Sequence, residues 1–340
     1  MKVSVILVIY EGKKYIKPVF DAIFNQTHKD LEVIAVINKS TDGGREEIRQ
    51  NYPLVKIIDE SRNTGFAEGN NIGIKASAGE FIQLVNQDLI LEPSYIEEML
   101  VAFADPKVAA ATGKLLRYDF DKNQRTQIID TTGVLISSSG RARDRGQNQI
   151  DLGQFDKLQN PNDKFETVFG VSGAGPMYRR EALEKVKYCY PSSVAEATSS
   201  PLAGEEKKCE FFDEDFFMYW EDVDLSWRLR NARYVACYVA KAIGYHGRTA
   251  GQSQGGYLHL LRFIKHHKKL NKQVLRWNYK NHMLMYIKNA KNIWHPAFIL
   301  REIAMLGYIM IFETSTLKVL PELFRQIPKA LDKRKWISRS

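Results

Sequence analysis

The stretch from Phe212 to Arg228, FDEDFFMYWEDVDLSWR, crowds carboxylates and aromatic rings together. Glu221, Asp222 and Asp224 fall where a helix should begin. Leu225, Trp227 and Leu229 continue it, and Arg228 stands four residues after Asp224, the spacing of a same-face ion pair. Acids in a first turn are favoured by the helix dipole, so a plain N-terminal charge cluster would account for them. The chemical alternative is a carboxylate held beside Tyr219 and Trp220 as a general base, with the rings as a platform for a sugar. Two distant residues could act with it. Asp88 follows Asn86-Gln87 at the end of the apolar run Phe81–Val85, where a carboxylate packs poorly but can hold a divalent cation against a diphosphate. Capping the next turn is its plainer role. His246, in Gly-Tyr-His-Gly, follows the strand-like run Tyr234–Ile243 and could reach a metal, although a lone histidine is more often structural.

The elements that must position these residues read as an α/β sheet. Val3–Ile9, Leu31–Ile37, Val55–Asp59 and Phe81–Val85 are apolar runs suited to buried parallel strands, and Lys13–Gln26 has helical apolar spacing. Strand, helix, strand, helix, strand predicts right-handed crossovers, with ligands at the carboxyl ends of the strands. That places Tyr10, Glu11, Asn38 and the loop Arg62–Asn70 at one mouth, with a helix predicted over Asn71–Ala78. Further on, Val108–Leu116 reads as a strand, Ile128–Gly146 as a hairpin with exposed arginines at 141, 143 and 145, and Gly173-Ala174-Gly175 as a close approach of backbone to ligand or a tight turn. Tyr190–Lys208 lacks periodicity and reads as a mobile loop, either a lid or a surface insertion.

Composition bounds the answer. The chain has 340 residues, 44% hydrophobic, enough for one large α/β domain with an extension. Cys189, Cys209 and Cys237 form neither a disulfide framework nor a zinc spacing, which favours a reducing compartment. The net charge is +9, but Tyr257–Ser340 holds 17 Lys and Arg against 4 Asp and Glu, so the preceding residues are net acidic. A basic C-terminal quarter argues against a general nucleic-acid binder and for a surface that meets anionic lipid. His259–Leu275 and Trp277–Ile287 read as amphipathic helices, and Ala297–Phe312 as an apolar one broken by Arg301 and Glu302. With Lys318, Arg325, Lys329, Lys333, Arg334, Lys335 and Trp336 this reads as an interfacial membrane anchor, the alternative being a helical hairpin packed on the protein.

In order, VSVILVIYEG, NKSTDGG, RNTGFAEGNNIG, LVNQDLILEP, VSGAGPMYRREAL, FDEDFFMYWEDVDLSWRLR and WNYKNHMLMYIKN resemble the glycosyltransferase family 2 enzymes of the GT-A fold, in their rhamnosyltransferase-like branch of bacterial polysaccharide biosynthesis. The resemblance implies a Rossmann-like, mostly parallel sheet flanked by helices, with a catalytic domain over 1–256 (nucleotide half about 1–115, acceptor half about 116–256, insertion 190–208) and a helical extension over 257–340. It implies Asp222 as catalytic base with Glu221 beside it, and Asp88 and His246 as ligands of Mg²⁺ or Mn²⁺. Tyr10, Glu11, Asn38, Asn63, Gly65, Phe66, Asn70 and Asn86 would bind a dTDP-, UDP- or GDP-linked sugar, and Gly173, Ala174, Tyr219 and Trp220 the acceptor. The family usually carries Asn at position 9, Asn at 11 and Asp at 37, where this chain has Ile9, Glu11 and Ile37. The implied activity is inverting transfer of a sugar, rhamnose first, to a hydroxyl of a lipid-linked glycan on the cytoplasmic face of the plasma membrane. A non-catalytic nucleotide-sugar-binding subunit, or a sugar nucleotidyltransferase, is the alternative.

Overall fold

The computed structural model describes residues 1–157, 165–191, 207–248, 267 and 269–337. β1 (Val3–Ile9) lies parallel between β2 (Leu31–Asn38) and β4 (Phe81–Leu84), and β3 (Lys56–Glu60) adds in parallel beyond β2. β1 is apolar throughout because both its faces are covered. Val3, Val5, Leu7 and Ile9 pack with Ile16, Val19, Phe20 and Ile23 of α1 (Lys13–Phe24) and Ile48 of α2 (Gly44–Asn51). Ile6 turns to the other face, against Ala67 and Ile74 of α3 (Gly65–Lys75).

α3 begins well ahead of the predicted Asn71. Asn38 Oδ1 accepts from the Thr64 amide at 2.6 Å and Asn63 Oδ1 from the Gly65 amide at 2.9 Å, so side chains from outside the helix satisfy donors at its start. Gly69 and Gly73 are helical glycines chosen for packing: a Cβ would sit 2.8 Å from Val8 and 2.4 Å from Ile6.

After β4 come β5 (Leu89–Leu91), α4 (Tyr95–Ala102), β6 (Val108–Asp119), β7 (Gln124–Thr131), the hairpin β8 (Val134–Ile136) with β9 (Ala142–Asp144), β10 (Glu166–Val168), β11 (Met177–Arg179) and α5 (Arg180–Val186). β12 (Tyr188–Pro191) and β13 (Lys207–Glu210) form a second hairpin, followed by α6 (Glu221–Asn231) and β14 (Val235–His246). The main sheet runs β10-β14-β6-β11-β4-β1-β2-β3, with β11 wedged antiparallel between β4 and β6, and β14 parallel to β6. β5 pairs with β14 and β7 with β6.

Three expectations are corrected. Arg145 is buried, not exposed, and its guanidinium pairs with Glu166. Cys189 and Cys209 stand opposite each other in the β12–β13 register and are joined by a disulfide, so the cysteines no longer argue for a reducing compartment. The predicted mobile loop is a hairpin at both ends; its interior, 192–206, lies outside the described residues, as does most of the predicted helix His259–Leu275.

A fourth correction concerns the C-terminal helices Lys272–Asn289, Pro296–Phe312 and Leu320–Ile337. Several of their basic residues point inward. Lys288 Nζ pairs with Asp213 and lies 2.8 Å from Asp224, and Lys333 Nζ is 2.5 Å from Asp213, 3.0 Å from Asp215 and 3.3 Å from Glu210. Burial alone would raise the Asp213 carboxyl, but Lys288 and Lys333 hold it well below the carboxylate range. Lys280 pairs with Glu322 and Lys329 with Asp215, while Arg334 donates to the Ile287 and Ala290 carbonyls. The extension is thus packed on the acidic stretch through buried ion pairs.

Candidate active site

The strand ends of β1, β2, β4 and β14 and the N-termini of α3 and α6 surround a cleft of about 460 Å³. α6 starts at Glu221, as the sequence predicts, and carries Glu221, Asp222 and Asp224 in its first turn. The three acids have separate fates. Asp224 is fully buried and takes Arg228 Nε at 3.1 Å, with Lys288 and Asn289 on its other oxygen, so it is structural. Asp222 borders the cleft, accepting from the Gly173 amide at 2.8 Å through one oxygen and from the Val223 amide at 2.8 Å through the other. Burial pushes its carboxyl up to about 6, against those two amides. Glu221 is buried, and one of its oxygens has no hydrogen-bond partner. Burial first, and then the charge of Asp222, raise it well above the usual carboxylate range. Of the two, Asp222 alone has hydrogen-bond donors on both oxygens, so negative charge is better supported there than on Glu221.

Register explains how Asp88 meets His246. In the β5–β14 pair His246 stands opposite Leu89, and the Gly247 amide donates to the Asp88 carbonyl at 2.8 Å. His246 Nε2 consequently lies 3.3 Å from Asp88 Oδ1 and 3.3 Å from the Asn86 amide. Its Nδ1 is 2.8 Å from Asp130 Oδ2, and Arg248 bridges Asp130 at 2.7 Å and Asp144 at 2.9 Å. Burial would lower the imidazole, but Asp130 and Asp88 raise it to about 10. Burial would raise Asp130, yet His246 and Arg248 bring it to about 2. A carboxylate on the far nitrogen of a histidine is the usual support for a metal-binding imidazole. Asp88 and His246 therefore fit a divalent cation, with a proton on Nε2 as its competitor. No set of three or more His, Cys, Asp or Glu among the described residues forms a full metal site, so the remaining ligands would come from diphosphate and water.

Of the predicted nucleotide contacts, Tyr10, Asn38, Asn63, Gly65, Phe66 and Asn86 line the cleft. Glu11 and Asn70 do not. Glu11 accepts from the Thr41 amide and hydroxyl, and buried Asn70 bonds back to the Phe66 carbonyl within α3. Gly173, Ala174, Tyr219 and Trp220 all line the same cleft. Ile9 and Ile37 face the core beneath β1 and β2, leaving Asn38 as the polar side chain at the β2 end. Sequence reasoning missed Asp130, Arg248 and Asn278. Asp130 stands near the end of the mostly polar strand β7 and Asn278 sits mid-helix, so neither gave a local signal.

Residues 4–187 match the model of glycosyl transferase family 2. An uncharacterized glycosyltransferase of Haemophilus influenzae is 32% identical over 35% of this chain and 38% of its own length. The N-acetylglucosaminyl-diphospho-decaprenol L-rhamnosyltransferase of Mycobacterium tuberculosis is 26% identical over 78% of this chain and 81% of its own. The chain thus spans well under half of the first relative and most of the second. The mannosyltransferase PcManGT of Pyrobaculum calidifontis, solved with GDP-Man and Mn²⁺, shares the fold at a TM-score of 0.50 and 16% identity, over 99% of this chain and 84% of that one. With a family match over more than half its length, this chain belongs to glycosyl transferase family 2, built on the GT-A fold.

Proposed function

We propose that this chain is an inverting, divalent-metal-dependent glycosyltransferase that moves a sugar, rhamnose first, from a nucleoside diphosphate to a hydroxyl of a lipid-linked glycan. The observation that carries the reading is Asp222, a carboxylate at the cleft edge held in place by the Gly173 and Val223 amides. Asp88 and His246 would hold the cation, which supplies neutralisation of the diphosphate's charge. Asn38, Asn63 and Phe66 bind the nucleotide side, and Tyr219 and Trp220 hold the acceptor. Asp222 takes the acceptor hydroxyl's proton as that oxygen attacks the anomeric carbon from the face opposite the diphosphate. The new C–O bond forms as the sugar–phosphate bond breaks, and the electron pair leaves with the diphosphate. With Asp222 acting as base on the acceptor hydroxyl, transfer is a single displacement, hence inversion.

The rhamnosyl donor and lipid-linked acceptor rest on the mycobacterial relative's name. Membrane contact is supported by the helix Pro296–Phe312. Arg301 and Glu302 turn inward onto His282, while Leu300, Ile303 and Ile311 are 68%, 65% and 71% exposed. Charge inside and apolar side chains outside suit an interfacial helix at the cytoplasmic leaflet. No single helix among the described residues is long and apolar enough to cross a membrane.

The test is Asp222→Asn. Transfer should be lost while a nucleoside diphosphate with Mn²⁺ still raises the melting temperature. Failure of UDP, GDP and dTDP alike to bind the unaltered protein would overturn the donor reading.

A further inference from the structure

Between the short 3-10 turn Glu214–Phe216 and α6 the backbone takes an unusual path. Phe217, Tyr219 and Trp220 all have positive φ, at 61°, 72° and 75°, and none is glycine. Side chains disfavour that region, so three such residues within four persist only where the surroundings over-determine them. Two elements do so. On the nucleotide side, the Phe66 and Ala67 amides at the start of α3 donate to the Phe217 carbonyl at 2.8 and 3.3 Å. Gly65 leaves the room: a Cβ there would lie 2.5 Å from that oxygen.

On the other side stands Asn281, from the helix Lys272–Asn289. It is fully buried, and its Nδ2 lies 2.9 Å from each of the Phe216, Met218 and Tyr219 carbonyl oxygens. Its Oδ1 is buried with no partner, a cost that an apolar residue of the same shape would avoid. The same helix packs Trp277 against Phe217, with ring centroids 4.8 Å apart and the planes tilted by 33°, and accepts the Trp220 Nε1–H on Asn278 Oδ1 at 3.1 Å. Immediately beyond the clamped turn, α6 opens with Glu221 and Asp222.

We infer that Asn281 is a positioning residue for glycosyl transfer: it locks the left-handed Phe217–Trp220 turn, and through that turn sets Asp222 and the Tyr219–Trp220 rings at the cleft. The C-terminal helix Lys272–Asn289 is then part of the catalytic unit. Because the other face of the turn hangs on the α3 N-terminus, which carries Phe66 of the nucleotide side, the turn also ties the two halves of the cleft together. The inference rests on the proposed role of Asp222.

The test is Asn281→Leu, which keeps the branched shape and removes the donor. Sugar-nucleotide turnover, with water or a saccharide as acceptor, should fall in kcat by ~100-fold, the usual loss for a misplaced catalytic group. The donor KM, and binding of the matching nucleoside diphosphate with Mn²⁺, should stay within about twofold, since the Phe66 and Ala67 amides keep their bonds to the Phe217 carbonyl, which Asn281 does not hold. Amide exchange over residues 217–223 should quicken. A folded variant with unchanged kcat and unchanged exchange overturns the proposal, and equal losses in nucleotide binding and kcat would reduce Asn281 to a general fold contact. Should Asn281→Leu fail to fold, Asn278→Ala reads the same helix through its bond to Trp220. Because Asn278 also lines the cleft, amide exchange over residues 217–223 decides: faster exchange with a ~10-fold loss in kcat supports the clamp, and unchanged exchange refutes it. If Asp222→Asn itself retains turnover, the reading of the base fails, while the exchange measurement still decides whether Asn281 holds the turn.

Discussion

Replacing Asp222 by Asn tests the proposed base through stability as well as rate. The Asp222 carboxyl is pushed up to about 6 from 3.8, mainly by burial. At 1.36 kcal/mol per tenfold, ionising it in the folded protein costs about 3 kcal/mol more than in the unfolded chain. The sign follows from a folded value above the unfolded one. Below pH ~4 both states are protonated and no penalty exists; stability falls as pH rises from about 4 to about 6, and above that the penalty is complete. Asn removes the charge, but it offers one acceptor oxygen where Asp222 uses two, for the Gly173 and Val223 amides. The orphaned amide costs about 1–2 kcal/mol. The variant should therefore be more stable than the parent by about 1–2 kcal/mol at pH 8 and less stable by a similar amount at pH 4. Urea unfolding at both values reads the difference, and sugar transfer at pH 8 should fall by ~10²–10⁴. An equal effect of the substitution at both pH values would refute the buried-carboxylate argument, and retained transfer would refute the base.

Asp130→Asn removes the carboxylate behind His246 and should weaken Mn²⁺ binding by ~10–100-fold, measured by calorimetry with a nucleoside diphosphate present; unchanged affinity would remove His246 from the metal site. Lys288→Met leaves Asp213 and Asp224 short of a buried cation and should cost about 3–5 kcal/mol in urea unfolding, with a loss under 1 kcal/mol denying the network its structural role. Ile303→Asp with Ile311→Asp should abolish co-sedimentation with phospholipid vesicles. In the parent that binding should survive 0.5 M salt or so, where surface charge is largely screened; release by salt would return the weight to the basic residues.

The sheet was legible because burial on two faces demands unbroken apolar runs. The expected Val3–Ile9 has the observed ends and β2, β3 and β4 fall within one residue, whereas the long parallel pair β6 and β14 each run three residues past the expected end. α3 was misjudged because its start is stabilised by Asn38, far away in sequence, and its glycines answer to Val8 and Ile6 across the gap. Asp88, Asp222 and His246 stood out because charge at a strand end or helix start is visible locally. Asp130, Arg248 and Asn281 act through partners 62 to 118 residues distant, and no local pattern marks them.

The charge asymmetry of the chain has a different meaning once these partners are known. A basic C-terminal quarter beside a net acidic remainder reads, from composition alone, as a surface aimed at lipid. Yet Lys280, Lys288, Lys329 and Lys333 are matched to acids, three of them to Asp213, Asp215 or Asp224 of the acidic stretch itself. Buried pairs of this kind add little stability over apolar packing, but each lysine penalises any docking that leaves it unpaired. They thus fix the register of the C-terminal helices on the segment that carries Asp222. What the basic residues specify is where the extension sits; what its outer face touches is decided by the apolar side chains of Pro296–Phe312.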